Sequence, residues 1–232
     1  MPRPTGMAEA DLYRLMAWLS PAYPVGAYSY SHGLELAVEE GLVRDRAELI
    51  AWLAAILRDG SGRNDAILFA AAHRAAAPGA ASDLGEVAEI AGVFQPTSEI
   101  ALESTAQGDA FLRVTRAVWP CAALDRLAGA WDGPVAYPVA VAVTCAGHGV
   151  ALGPGLAAYL HAFAANLVSA GVRLVPLGQT DGQHAIAKLE PAVREVAATA
   201  PALSLDDLGS ATLVVDWCAM RHETQRTRLF RS

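Results

Sequence analysis

The sequence predicts an all-α protein of a single domain, and three observations lead there. Apolar residues recur at helical spacing, as where Leu12, Leu15, Met16 and Leu19 fall at i, i+3, i+4 and i+7. Strand-like alternation is nearly missing; "TLVVDW" at 212–217 is the best candidate and too short to found a sheet. Residues 133–172 contain no Asp, Glu, Lys or Arg. That run is interrupted by Pro138, Gly147, Gly149, Gly153, Pro154 and Gly155, and reads as two apolar helices packed as a buried hairpin. The expectation is one bundle of about nine to eleven helices spanning 1–232, with a central apolar hairpin and a basic C-terminal tail. Residues 1–8 and 221–232 are expected as flexible or partner-ordered ends.

The first helix carries the Leu12 to Leu19 stripe and stops at Ser20-Pro21, because proline disfavours helix in the residue before it. Ser29 or Ser31 can cap a second helix that ends near Gly41. Asp45 with Glu48 resembles a capping box for a third, running to Gly60 with Ile50, Leu53, Ile56 and Leu57 inward. Asn64 opens a fourth, Ser82 caps a short one up to Phe94, and Pro96-Thr97 introduces a long one to about Trp119. A short helix follows the Pro120 break, and then the charge-free hairpin. Pro191 is expected in the first turn of a new helix, where its missing N–H costs nothing. Ser204 or Asp206 opens the last helix, with Leu213, Val214, Trp217 and Met220 on one side.

Composition narrows function. Hydrophobic residues make up 53% and charged ones 18%, more apolar material than a monomer's core needs, which suits a protein partner or self-association. The formal charge of −7 disfavours nucleic acid as a ligand. It is uneven: "RHETQRTRLFRS" at 221–232 has four Arg against one Glu, a net +3 that leaves −10 for the rest. Cys121, Cys145 and Cys218 are odd in number and far apart, as in a reduced, cytoplasmic protein. The N-terminus lacks the apolar core of a signal peptide, and the flanks of the charge-free run lack the clustered Lys/Arg of a membrane hairpin.

Known catalytic motifs are missing. There is no P-loop, no G-x-S-x-G and no H-E-x-x-H. "GPGLAA" at 153–158 fits a dinucleotide fingerprint by letter, but its proline spoils the turn and it reads as a helix start. None of the six histidines pairs with another at i+3 or i+4, so no metal site or cofactor is expected. Three polar segments remain. The loop "SPAYPVGAYSYSHGLE" at 20–35 offers Tyr23, Tyr28, Tyr30, His32 and Glu35; "GQTDGQ" at 178–183 offers Gln179, Asp181 and Gln183. The tail offers Arg221, His222, Glu223, Arg226, Arg228, Leu229 and Phe230, an apolar pair among arginines. Each also has a plain structural reading, as a helix connection, a helix cap and a solvated terminus. A helical enzyme using Glu35, His32 or Asp181, and a membrane-embedded helical protein, are the alternatives to an interaction protein.

Taken together, "SPAYPVGAYSYSHGLE", "VRLVPLGQTDGQHAIAKLEP" and "MRHETQRTRLFRS" resemble three signature segments of the UreF family of urease accessory proteins, in the right order and spacing. Glu99, Glu103 and Gly108 fit a helix of that family as well, whereas Tyr23 and Tyr28 stand where it often has Phe or Leu. The resemblance implies an all-helical, non-enzymatic protein that dimerises and binds the accessory protein UreD (also called UreH). It further implies recruitment of the GTPase UreG to urease apoprotein for nickel insertion.

Overall fold

The computed structural model describes residues 7–80 and 82–232, so positions 1–6 of the expected flexible N-terminal end lie outside the described residues. Among the described residues there are eleven α-helices and no strand. They are α1 (Glu9–Trp18), α2 (Leu34–Glu39), α3 (Arg46–Asp59), α4 (Ser61–Ala75), α5 (Leu84–Val93) and α6 (Ser98–Val118). After these come α7 (Ala122–Ala130), α8 (Tyr137–Gly147), α9 (Leu152–Leu174), α10 (Gln179–Thr199) and α11 (Leu213–His222).

The charge-free run forms α8 and α9. Every residue of α8 from Pro138 to Cys145 is buried, and the helix packs against α4, α6, α7 and α9, at the centre of the bundle. A helix apolar all round has no solvent face to offer, so it is stable only there. Among the described residues α9 alone is long and apolar enough to cross a membrane, and half of its most apolar stretch is buried inside the protein. "GPGLAA" is the start of α9, as expected.

Two glycines decide how helices meet near the site. A Cβ on Gly108 would overlap the Val135 carbonyl, so α6 lies directly against the entry to α8. Gly33 has φ +76°, and a Cβ there would meet the Ala219 backbone N at 2.8 Å, so α11 rests on the start of α2. His32 just before it has φ 59°, a left-handed conformation that costs a non-glycine residue about 1–2 kcal/mol.

Several local expectations need correction. Leu12 and Met16 of α1 are exposed; Leu15 and Trp18 face inward, where Trp18 meets Trp119 edge-on. Asp83, not Ser82, caps α5, its carboxylate accepting from Gly85 N–H at 2.8 Å. Pro191 sits inside α10 rather than at a start: the carbonyl it leaves without a helical partner belongs to exposed Ala187, on the side open to solvent, and packing on α9 and α3 holds the helix. The Leu213, Val214, Trp217 and Met220 stripe shares one side of α11, as expected, and that side faces solvent.

Candidate protein-interaction site

The opening loop and the tail come together. Arg231 N–H donates to the Ser29 carbonyl at 2.8 Å, and Ser31 N–H to the Ser232 carbonyl at 2.8 Å, so the chain end lies along residues 29–31. Phe230 is buried, with the Arg173 guanidinium 4.3 Å from its ring centre. The tail, expected as a flexible or partner-ordered end, is thus docked on the body here, and of the expected apolar anchor pair only Leu229 (79% exposed) points outward.

Carboxylates do the holding, with Glu35 and Glu103 among them buried. Leu229 and Phe230 donate their N–H groups to Glu35 at 2.7 and 2.9 Å, a pairing that suits an ionised carboxylate. His222, wholly buried, places Nε2 3.2 Å from Glu35 and Nδ1 2.6 Å from Glu99. Arg228 pairs with Glu99, and Ser232 Oγ donates to Glu103 at 2.7 Å. Glu223 reaches the start of α6, accepting from Ser98 N–H at 2.9 Å and Ser98 Oγ at 2.7 Å, which holds its carboxyl below the usual range. Glu99 and Glu103 enter the sequence reading only as part of a family-like helix and Ser232 not at all, so none of them is among its site candidates. The signal that finds the second is present there: Glu103 and Gln107 interrupt the inward stripe of Ile100, Phe111 and Thr115 on α6, and a polar residue in such a stripe must have buried partners.

Beneath the loop lies a polar cavity of about 30 Å³, room for one water molecule. His32, Asp65, Glu103 and Tyr159 line it. His32 Nε2 is 2.6 Å from Ser61 Oγ, and its Nδ1 is 3.5 Å from Glu103. Burial alone would lower the affinity of His32 for its proton, but the neighbouring Glu103 and Asp65 carboxylates outweigh that and raise its pKa. Burial pushes Asp65 up to about 6, against the Tyr159 hydroxyl it accepts at 2.6 Å.

The remaining candidates divide by exposure. Tyr23 packs on Phe111 and hydrogen-bonds Thr115 Oγ1 at 2.7 Å, and Tyr30 is buried under Arg231. Tyr28 is 71% exposed, beside a groove of about 340 Å³ between the loop and α9. Arg226 is exposed, and Arg221 reaches over Trp217. The "GQTDGQ" segment stands apart, at the start of α10: Gln179 and Gln183 face solvent, and Asp181 accepts from Gly178 N–H at 3.2 Å and pairs with Arg46 at 2.6 Å. Glu35, His32 and Asp181 therefore do not converge on one centre. Among the described residues no three His, Cys, Asp or Glu side chains are grouped to hold a metal ion.

What the fold and this cluster define is a helical scaffold whose buried charges hold a loop and a tail in one fixed surface. The UreF family model matches residues 43–190. The chain is 52% identical over 223 residues to the urease accessory protein UreF of Bradyrhizobium diazoefficiens, covering 96% of this chain and 92% of that one. It is 53% identical over 223 residues to the UreF of Rhodopseudomonas palustris strain HaA2, covering 96% and 94%. The chain belongs to the UreF family.

Proposed function

We propose that this chain is a non-enzymatic, cytoplasmic adaptor of urease maturation. It binds a UreD/UreH-type accessory protein and recruits the GTPase UreG to urease apoprotein for nickel insertion, with nickel as cargo rather than as a resident cofactor. The observation that carries the docking role is the outward face of α11. Leu213 (76% exposed), Val214, Trp217 (42% exposed) and Met220 form an unpartnered apolar stripe one turn before the docked basic tail. A contiguous apolar patch with a charged rim is the composition of a protein interface. The outward side of α9 carries no charged residue before Arg173, so a second copy packs there without burying a charge, which supports the homodimer. The three cysteines are unpaired, as a reducing compartment requires, and burial pushes Cys145 to about 12 and Cys218 to about 11.

The test is capture of UreD by the variant carrying Trp217→Ala with Met220→Ala. Its helix content should match wild type, since both side chains are substantially exposed, while its UreD affinity falls by about a hundredfold for two interface anchors. Wild-type affinity in a folded variant would remove α11 from the interface.

A further inference from the structure

The position of His222 makes a demand that hydrogen bonding alone can settle. Both ring nitrogens face carboxylate oxygens, Nδ1 toward Glu99 and Nε2 toward Glu35. A neutral imidazole has one N–H and one bare lone pair, and so can serve only one of them. Glu35 accepts two backbone N–H groups and Glu99 is paired with Arg228, roles that suit ionised carboxylates. The arrangement that keeps both acids ionised puts the completing proton on the ring. Two carboxylates, one guanidinium and one imidazolium then sum to zero around a ring that is itself wholly buried.

We propose that His222 is a proton-dependent latch for the tail. As imidazolium it ties Glu35 of α2 to Glu99 of α6, and so sets the carboxylate that receives Leu229 and Phe230 and the one that receives Arg228. When the proton leaves, a lone pair faces a carboxylate, two acids stand against one guanidinium, and the segment from 226 to 232 releases. The surrounding groups do not replace the lost charge. On α2, Glu39 accepts from Gln225; on α6, Glu103 is turned to Ser232 and His32; on α11, Cys218 is a neutral thiol, Arg221 lies over Trp217 and Glu223 is turned to Ser98. The sign follows from linkage. The docked state needs the proton and the released state does not, so docking is favoured at low pH and lost as pH rises.

The full-length chain tests this without any partner, so the outcome does not depend on the proposed adaptor role. With ¹⁵N-labelled histidine, both ring nitrogens of His222 should show imidazolium shifts at about pH 6. Amide protection at Leu229 and Phe230, corrected for intrinsic exchange, should fall by about tenfold or more between about pH 6 and about pH 9. In His222→Gln that pH dependence should disappear. A neutral His222 ring with the tail docked at about pH 6, or flat wild-type protection, would overturn the latch. So would a fall of equal size in His222→Gln, which would assign the switch to another group such as His32. Should His222→Gln fail to fold, the wild-type ring shifts and protection profile decide alone.

Discussion

Asp65 shows most simply how one residue's burial becomes a measurable property of the protein. Burial pushes its carboxyl up to about 6, from an ordinary value of 3.8. The folded state thus holds this proton more tightly than the unfolded chain, and the group's contribution to stability declines as pH rises from about 4 to about 6. Asp65→Asn keeps an oxygen to accept from the Tyr159 hydroxyl and removes the buried charge. It should raise stability by about 1–3 kcal/mol at neutral pH and leave it little changed near pH 3.8, read as melting temperature against pH. Asp181 answers to different physics. It caps α10 at Gly178 and pairs with Arg46 on a partly exposed surface, so Asp181→Ala should cost about 1 kcal/mol and leave the fold intact. A loss of urease activation beyond that cost would make the segment a docking surface, as the sequence motif suggests; unchanged activation would leave it a cap.

At the scale of elements, the junction of α6 with α8 is the least tolerant point. Gly108 faces the Val135 carbonyl, which is backbone and cannot turn aside, so Gly108→Ala must push two central helices apart. A destabilisation of about 3 kcal/mol or outright failure to fold is expected by chemical denaturation. Elements with local causes are legible in the sequence. Thr97 caps α6 by accepting from Ile100 N–H at 3.1 Å, Asp45 caps α3, and α8 is central because it has nothing to give to water. Elements whose neighbours matter more than their own periodicity are not. The apolar faces of α1 and α11 both have helical spacing, and spacing does not say whether a face meets the core or a partner. Pro191 misleads for a related reason, since tertiary packing overrides a local helix breaker when the freed carbonyl lies in water.

At the scale of the whole molecule, the loop and the tail are legible as two conspicuous motifs, and their contact is not. They lie about two hundred residues apart, and the groups that join them, Glu99 and Glu103, come from a helix midway along the chain. Docking also changes what removal of the tail does. Deleting 221–232 takes His222 and two backbone donors from buried Glu35, and His222 and Arg228 from half-buried Glu99, so a cost of about 3–5 kcal/mol accompanies any loss of binding. Phe230→Ala is the gentler probe: it should loosen the tail while the helical signal by circular dichroism stays at the wild-type level.

The claim that the chain is an adaptor rather than an enzyme is tested most directly by reconstitution from purified components. Urease apoprotein, UreD, UreG, GTP and nickel are combined with and without this chain, and urease activity is measured alongside co-elution of UreD and UreG. With the chain present, the three proteins should elute as one assembly and urease should become active. In its absence UreG should elute alone and activity should stay at background. Equal activation without the chain, or an assembly of UreD with UreG that forms just as well in its absence, would contradict the adaptor role.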